Sequence, residues 1–171
     1  MDFANNPAGI SVSVVTVSDR CFSGEREDGS GPAAVSTLTA AGFATEGPTV
    51  VPDGEESVGS AVKKEIESGA DVIVTLGGTG ASERDLTPEG TRPLIERELP
   101  GIAEGLRATS AARVPTAVLS RGISGISKPT ASGHRSVIVN LPGSTGGARD
   151  GVQYLTPILP HLIDQLRGGD H

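Results

Sequence analysis

Short apolar runs alternate along the chain with segments that carry their apolar residues on one helical face. Residues 10–17 (ISVSVVTV) and 71–76 (DVIVTL) are β-branched runs that end in polar or glycine-rich turns, which is typical of buried strands in a parallel sheet. Between them, residues 55–68 repeat a valine or isoleucine at every fourth position, and charged residues occupy the opposite face. This spacing predicts an amphipathic helix that ends at Gly69.

Weaker patterns complete the alternation of strands and helices. Thr87 is predicted to cap a helix that begins at Pro88, since proline is tolerated at the first helical position. Pro157 and Pro160 are predicted to kink the C-terminal helix or to start a new one. The alternation predicts a three-layer α/β/α domain with a mostly parallel sheet over residues 10–167. Further strands are expected at 49–51, 116–120 and 136–141, further helices at 33–41, 88–98, 102–112 and from 147 onward, and loose tails at 1–9 and 168–171.

Composition narrows the fold and the possible partners. The 171 residues are 36% hydrophobic, which suffices for one compact domain, and only 2% are aromatic, so its core must be aliphatic. Acidic residues outnumber Lys and Arg 21 to 14, and the net charge of -7 argues against nucleic acid as a partner. No apolar run approaches the roughly 20 residues of a membrane span, and the first residues lack the order of a signal peptide. Because Cys21 is the only cysteine, no intramolecular disulfide can form, and we expect a cytoplasmic protein.

The loops that follow the predicted strands are the expected places for ligand binding. In an open parallel sheet, ligands bind in the crevice outside the carboxyl ends of the strands. A small anionic ligand remains compatible with the acidic composition if such a loop is locally basic. These loops cover residues 18–31, 52–56, 77–89, 120–128 and 142–147.

The loop at residues 76–90 (LGGTGASERDLTPEG) combines bare backbone with charge. Gly77, Gly78 and Gly80 remove side chains where backbone N–H groups can converge on a phosphate, and Thr79 adds a hydroxyl donor. The same glycines are equally suited to a tight turn between a strand and a helix. The residue pattern alone leaves both interpretations open.

Two charged side chains follow these glycines. Arg84 is able to supply positive charge to a bound anion. Asp85 is able to hold Mg²⁺ or a metal-bound water, as sites for nucleotide phosphates require. The pattern is equally consistent with a polar turn in which both side chains are solvated neighbours.

Standard motifs of other enzyme classes are absent from the sequence. A dinucleotide-binding G-x-G-x-x-G would need glycine in place of Glu83, and no G-x-x-x-x-G-K-[ST] occurs. A serine-hydrolase G-x-S-x-G fails at Ile126. A metal site built from histidine and cysteine is not indicated either, because the three histidines are dispersed, at His134, His161 and His171.

Five segments in order along the chain carry a family resemblance. They are VTVSDR, VPD, GGTGASERDLTPE, LSRG and NLPGS. Together they resemble the molybdopterin adenylyltransferase family, which includes Mog-type and MoaB-type proteins and the G domain of gephyrin, over about residues 10–166. The GGTG-x-x-x-RD-x-TPE block is the most specific of the five. Its Arg84 resembles the Mog type, whereas in MoaB-type sequences the arginine position is altered.

The resemblance implies a Mog-type fold and the transfer of AMP from ATP to the terminal phosphate of molybdopterin, with release of pyrophosphate. It implies that Asp53 and Asp85 are catalytic and hold Mg²⁺. It also implies a homotrimer or hexamer in the cytoplasm that hands its product to a molybdate-insertion protein. The residues implied to bind the nucleotide are Ser18, Asp19, Gly77, Gly78, Thr79, Gly80, Pro142, Gly143 and Ser144. Those implied to bind the pterin are Ser120, Arg121 and Lys128.

Structural roles compete with these assignments at several positions. Asp53 and Glu56 form a possible capping box at the start of the amphipathic helix, and this role is compatible with a functional one if the helix start faces the site. The competing roles elsewhere are a turn for Ser18, Asp19 and residues 142–144, a salt bridge for Arg121, exposure to solvent for Lys128, and turn and cap roles for Asp28 and Ser30.

Two other functions are compatible with the sequence. One is a non-catalytic, MoaB-like pterin-binding or scaffold protein of the same fold, and the other is a different nucleotide hydrolase on a related fold. The scaffold function is disfavoured because Asp53, Arg84 and Asp85 are all present.

Overall fold

The computed structural model describes residues 6–169 of the chain. Residues 1–5 and 170–171 of the two predicted tails lie outside this part, as does His171. No helix within it is long and apolar enough to cross a membrane. The strands are β1 (Ser11–Val17), β2 (Ala44–Val51), β3 (Val72–Leu76), β4 (Ile95–Glu98), β5 (Ser124–Ser127) and β6 (Val137–Leu141). The helices are α1 (Asp19–Ser23), α2 (Ser30–Ala40), α3 (Glu55–Glu67), α4 (Thr87–Thr91), α5 (Pro100–Ala111), α6 (Thr145–Leu155) and α7 (Leu159–Leu166), with 3₁₀ segments at Arg92–Leu94 and Pro115–Leu119.

The strands form one sheet in the order β2-β1-β3-β6-β5-β4. β1 pairs in parallel with β2 and β3, and β3 pairs in parallel with β6. β5 runs antiparallel to its two neighbours, β6 and β4. β4 therefore points the same way as β6, and β5 alone opposes the common direction of this sheet. The predicted mostly parallel sheet is confirmed.

Helices cover both faces of the sheet and divide the core into two clusters. Because successive side chains of a strand point to opposite faces, Val72 and Val74 of β3 pack with α2, α5, α6 and α7, whereas Ile73 packs with α3. This arrangement confirms the three-layer α/β/α architecture. The residues that α3 buries are those whose spacing predicted it: Val58, Val62 and Ile66.

The helix predicted over residues 88–98 is wrong beyond Thr91. α4 ends at that residue, a 3₁₀ segment follows, and the chain then enters β4. Pro93 explains the break, because proline has no N–H for the helical ladder and its ring clashes with the preceding turn. The region thus supplies an edge strand that the periodicity did not indicate.

The strand predicted over residues 116–120 is also wrong. The segment Pro115–Leu119 is a 3₁₀ helix, and Val118 and Leu119 are 59% and 63% exposed rather than buried in a sheet. The strand of this region is β5, whose sequence SGIS carries little strand propensity and was therefore missed. The short helix α1 was missed as well.

The other predicted elements are confirmed with shifted ends. Residues 49–51 are the end of β2, and the C-terminal region divides into α6 and α7. Pro160 lies in the first turn of α7, so the prolines start a new helix there rather than kink a continuous one. The remaining matches are 33–41 with α2, 102–112 with α5 and 136–141 with β6.

Candidate active site

Loops after four strands meet around one cleft at the carboxyl edge of the parallel strands. They follow β1, β2, β3 and β6, as expected for ligand sites of such sheets, and the cleft has a volume of about 610 Å³. The structure brings together around it ten of the predicted residues: Ser18, Asp19, Asp53, Gly77, Gly78, Thr79, Gly80, Asp85, Gly143 and Ser144.

The glycine loop is a tight turn that also lines this cleft. Gly77 has a φ of 108° and Gly78 a φ of 65°, and residues that carry a side chain rarely adopt these backbone angles. A Cβ at Gly77 would lie 2.4 Å from the carbonyl oxygen of Val17, and one at Gly78 would lie 2.2 Å from Thr87 Oγ1. The prediction that Thr87 is the N-cap of α4 is wrong, because the N-cap is Leu86. The Thr87 hydroxyl donates instead to the Gly77 carbonyl (2.8 Å). The turn interpretation and the phosphate-cradle interpretation are therefore compatible.

Asp85 is half-buried, and its carboxylate turns back over its own loop. Its Oδ2 accepts a hydrogen bond from the Ser82 N–H (3.1 Å), and the Asp85 N–H donates to the Ser82 carbonyl (3.1 Å). A Cβ at Gly80 would lie 2.7 Å from Asp85 Oδ2. Glycine at position 80 thus makes room for the carboxylate at the wall of the cleft.

Asp53 is held by a reciprocal pair of hydrogen bonds with Asp19. The Asp19 N–H donates to Asp53 Oδ2 and the Asp53 N–H donates to Asp19 Oδ1, both at 3.0 Å. These bonds join the loops after β1 and β2, which lie 34 positions apart in the chain. The predicted capping box of Asp53 and Glu56 is wrong, because the N-cap of α3 is Gly54 and makes no side-chain cap bond. The Asp53 side chain is directed to the cleft instead.

Two long helices begin at the cleft. α2 presents Gly29 and Ser30 there, and α6 presents Ser144 and Thr145. Ser144 Oγ caps α6 by accepting from the Gly147 N–H (3.1 Å). The N-terminus of a helix carries partial positive charge and unpaired N–H groups, which favour a bound anion. At the start of α2, the Asp28 carboxylate already accepts one of these groups, the Gly31 N–H.

Turn and cap roles are confirmed for two residues of the loop after β1. Ser18 Oγ accepts from the Cys21 N–H (3.2 Å) and caps α1. Asp28 Oδ1 accepts from the Gly31 N–H (2.9 Å), and its Oδ2 accepts from Thr16 Oγ1 (2.7 Å). Both carboxylate oxygens of Asp28 are therefore engaged in holding the loop.

The cleft carries more acidic than basic side chains. Arg84 lies on its rim, with Nη1 3.8 Å from Asp19 Oδ2, and is mostly exposed. An anionic ligand would meet excess negative charge here unless a cation accompanied it. The acidic lining residues are Asp19, Glu27, Asp28, Asp53 and Asp85, and the basic ones are Arg20, Arg26 and Arg84.

The donor set fits Mg²⁺ that arrives with a phosphate ligand. Among residues 6–169, no group of three or more His, Cys, Asp or Glu side chains is arranged to hold a metal ion. Mg²⁺ is commonly bound by one or two carboxylates and completes its octahedron with waters and substrate phosphates. Asp53 and Asp85, which face the same cleft, match such a set.

A buried amide fixes the strand ends beneath the cleft. Asn140 Nδ2 donates to Thr75 Oγ1 (2.9 Å), and its Oδ1 accepts from the Ile123 N–H (3.1 Å) and from Thr91 Oγ1 (3.4 Å). These bonds join β3, β6, α4 and the segment before β5. Asn140 was not singled out from the sequence, although a polar residue inside the apolar run VIVNL was the available signal.

Arg121 forms the salt bridge that was one of its two predicted roles. Its Nη1 lies 2.5 Å from Glu89 Oε1, and neither side chain lines the cleft. The hydrogen bond from Arg121 lowers the pKa of the Glu89 carboxyl below its ordinary value of 4.5, and the same bond raises the pKa of the Arg121 guanidinium. Ser120 and Pro142 line a smaller neighbouring cavity of about 30 Å³.

Lys128 lies at the amino edge of the sheet, where the parallel strands begin, opposite the cleft. The expectation that residues 120–128 form one loop is wrong, because this segment contains β5. Since β5 is antiparallel to β6, its carboxyl end meets the beginning of β6, far from the glycine loop. There Lys128 lines a separate hollow with Leu94 and Thr130. The structure therefore does not bring Lys128 together with the other predicted site residues.

Several residues around the cleft were not assigned to a ligand from the sequence. Most of them lie in the loop after β1, which was recognised as a candidate region only by its place after a strand. Whether these residues line the cleft depends on the path of that loop, which local sequence patterns do not specify. They are Thr16, Arg20, Cys21, Arg26, Glu27, Gly29 and Thr145.

Known proteins resemble this chain in sequence and in fold. Residues 13–161 match the family described as probable molybdopterin binding domain. The chain is 37% identical over 164 residues to the molybdopterin adenylyltransferase of Pyrococcus furiosus and covers 94% of both proteins. It is 35% identical to the molybdenum cofactor biosynthesis bifunctional protein of Chlorobaculum tepidum, with 92% of this chain and 49% of that protein covered, so it spans about half of that relative. The Mog protein structure from Mycobacterium ulcerans matches with a TM-score of 0.82 and 39% identity, covering 92% of this chain and 99% of that one.

Proposed function

The chain belongs to the family of probable molybdopterin binding domains, and we propose that it is a molybdopterin adenylyltransferase that acts in molybdenum cofactor biosynthesis. In this reaction, an oxygen of the terminal phosphate of molybdopterin bonds to the α-phosphorus of ATP. The bond from that phosphorus to the bridging oxygen breaks, and pyrophosphate leaves. The observation that carries the proposal is one cleft in which Asp53 and Asp85 face a glycine loop and two helix N-termini.

The chemistry requires two anions to approach each other. The starts of α2 and α6 and the backbone of the glycine loop offer N–H groups to phosphate oxygens, and Arg84 adds positive charge at the rim. Such fixed donors offset the repulsion between substrates and align the attacking oxygen with the leaving group. We therefore assign nucleotide binding to the loops after β1, β3 and β6.

Asp53 and Asp85 are the proposed ligands of Mg²⁺, together with ATP phosphates. The ion would neutralise charge on the phosphates and on the leaving pyrophosphate. The chain contributes fixed positions for the two carboxylates. Asp53 is held through its bonds with Asp19, and Asp85 through its bond with Ser82.

The pterin is proposed to bind beside the nucleotide, toward Ser120. Ser120 lies in the segment that adjoins the glycine loop, since the N–H of the next residue, Arg121, donates to the Thr79 carbonyl (2.8 Å). Lys128 has no part in this proposed pocket, because it lies at the opposite edge of the sheet.

We also propose assembly into a trimer or hexamer, a cytoplasmic location and handover of the product to a molybdate-insertion protein. Val114, Val118 and Leu119 offer exposed apolar surface for such assembly.

The direct test is an adenylylation assay with and without pterin. Purified protein is incubated with Mg-ATP and molybdopterin, and adenylylated molybdopterin and pyrophosphate are measured by chromatography. We expect both products only when pterin is present. Pterin binding without any ATP turnover would contradict the proposal and favour the non-catalytic scaffold. ATP loss without pterin would favour a nucleotide hydrolase.

A further inference from the structure

The guanidinium of Arg121 connects three parts of the glycine-loop region. Its Nε donates to the Gly80 carbonyl (2.8 Å), and its Nη2 donates to the Asp85 carbonyl (2.5 Å). Nη1 and Nη2 also contact the two carboxylate oxygens of Glu89 on α4. One planar side chain thus holds both ends of the exposed turn 81–84 and ties them to a helix.

These contacts leave Arg121 little capacity for an anionic ligand. They use four of the five N–H donors of the guanidinium. Glu89 also neutralises its positive charge at salt-bridge distance. A residue that binds a substrate phosphate would instead present an unpaired cation to the cleft, and Arg121 does not line it. The contacts therefore indicate a role within the protein.

The segment that carries Arg121 is itself anchored. The Arg121 N–H donates to the Thr79 carbonyl, and Arg107 Nη1 donates to the carbonyls of Ser120 (3.3 Å) and Gly122 (3.1 Å). Arg107 lies on α5, which packs into the core through Ile102. The guanidinium of Arg121 is thus presented from a fixed base.

We propose that Arg121 is a positioning residue that orders the turn 80–85 and sets the direction of the Asp85 carboxylate in the cleft. The base of the loop is held independently, because the Thr87 N–H and hydroxyl bind the Gly78 and Gly77 carbonyls. Loss of Arg121 would therefore loosen the exposed turn 81–84 while the base of the loop stays folded. The catalytic consequence rests on the proposed adenylyltransferase function, whereas the ordering of the turn does not.

The first experiment compares Arg121→Lys with the wild-type protein. Lysine keeps the charge but cannot bridge two carbonyls and a carboxylate. We expect kcat at saturating ATP and pterin to fall about 10- to 100-fold, because a small misplacement of a reacting group has an effect of this size. The dissociation constant of molybdopterin should change less than about threefold. Arg121→Ala should resemble the lysine variant.

The opposite pattern would overturn the proposal. If Arg121 bound a pterin phosphate directly, lysine would rescue much of the affinity lost in Arg121→Ala, and kcat at saturation would be kept. Glu89→Gln separates the two roles further, because Glu89 lies outside the cleft and orients Arg121. We expect it to lower kcat in the same direction as Arg121→Lys, and the double variant to be little worse than Arg121→Lys alone.

Amide hydrogen exchange tests the ordering without any activity. We expect peptides that cover residues 80–86 to exchange about tenfold faster in Arg121→Lys, with peptides of β3 unchanged. Arg113→Lys is the matched control, because Arg113 makes a surface ion pair with Asp150 (2.6 Å) outside this loop. Unchanged exchange would contradict the proposal that Arg121 orders the turn 80–85, whatever the activity. Faster exchange with unchanged kcat overturns its positioning role. Wild-type protein that makes no product contradicts the proposed function, and the exchange result still tests whether Arg121 orders the turn 80–85.

Discussion

Asp71, at the amino edge where the parallel strands begin, and Asp53 and Asp85, at the carboxyl edge where they end, differ in how completely their carboxylates are paired. At the amino edge, Asp71 is 13% exposed, and its Oδ2 accepts from the Ser11 N–H (2.8 Å) and hydroxyl (3.1 Å) and lies 3.0 Å from Arg167 Nη2. At the carboxyl edge, Asp53 and Asp85 each accept one backbone N–H through Oδ2. Within the described part of the chain, their Oδ1 atoms make no hydrogen bond.

This difference separates a carboxylate used for stability from one kept for a ligand. Asp71 joins the beginnings of β1 and β3 to the end of α7, and its bonds are made when the chain folds. The carboxylates at the cleft are oriented by one bond each and retain acceptor capacity that a metal ion or a substrate can use. Substitutions at the two edges should therefore change different measured quantities.

The largest effect is expected for Asp85→Asn at the carboxyl edge. Asparagine can still accept the Ser82 N–H but loses the charge that would hold Mg²⁺. We expect kcat to fall about 100- to 1,000-fold, the range found when one transition-state-stabilising group is removed. The free energy of unfolding in urea should change by less than about 0.5 kcal/mol. Pterin affinity should change much less than kcat.

Glu83→Gln is the matched control for this substitution, because Glu83 is exposed in the same loop and does not line the cleft. Its kcat should stay close to that of the wild-type protein. The comparison between the edges breaks if Asp85→Asn keeps its turnover, or if its main effect is a loss of stability.

The second prediction compares glycines at the two edges. Gly78→Ala places a Cβ 2.2 Å from Thr87 Oγ1 at a φ of 65°. We expect a loss of about 2–3 kcal/mol in the free energy of unfolding, from backbone strain and overpacking together. Gly133→Ala, at a φ of 84° beyond β5, has nothing within 4 Å of its Cβ and should lose only about 1 kcal/mol. Equal losses of unfolding free energy in the two variants would show that the contact of the new Cβ with Thr87 has no measurable cost.

The third prediction concerns Asp71→Asn at the amino edge. The amide keeps an acceptor for Ser11 but weakens the charge-assisted bond with Arg167, so we expect urea unfolding to show a loss of about 1–2 kcal/mol. Turnover well below the melting temperature should be unchanged. Glu67→Gln, which removes an exposed pair with Lys63, serves as the control and should lose less than about 0.5 kcal/mol. A fall in kcat for Asp71→Asn would remove the distinction between the edges.

Local patterns were enough to predict the layers of the fold, because the elements that build them carry their own periodicity. The spacing of Val58, Val62 and Ile66 and the apolar runs of β1, β3 and β6 specify buried faces without reference to distant residues. β4 is a short edge strand and β5 is a short strand between β6 and β4, and both are stabilised by pairing with their neighbours, for example Ile95 with Ser127. Their own sequences do not indicate a strand.

The candidate site was predictable only as a set of loops. The rule for parallel sheets placed the glycine loop and Asp53 at one edge, but it failed for Lys128, since β5 was not predicted and runs antiparallel to β6. The mutual bonds of Asp19 and Asp53 and the contacts of Arg121 with Gly80 join residues 34 and 41 positions apart. Such contacts depend on the finished fold, so no local pattern could show which side chains are already paired.

The smallest expected effect is a pH-dependent one at Glu89, a carboxylate beside the cleft that is paired. The hydrogen bond from Arg121 lowers the folded-state pKa of Glu89 below 4.5, so the ion pair stabilises the protein above pH 4.5. This contribution is lost as the pH falls through the folded-state pKa. Because both side chains are more than a third exposed, we expect Glu89→Gln to lose no more than about 0.5 kcal/mol above pH 4.5. The difference in urea-unfolding free energy from wild type should shrink below pH 4.5, and a difference that grows toward acid pH would show that Glu89 is not stabilised as a carboxylate.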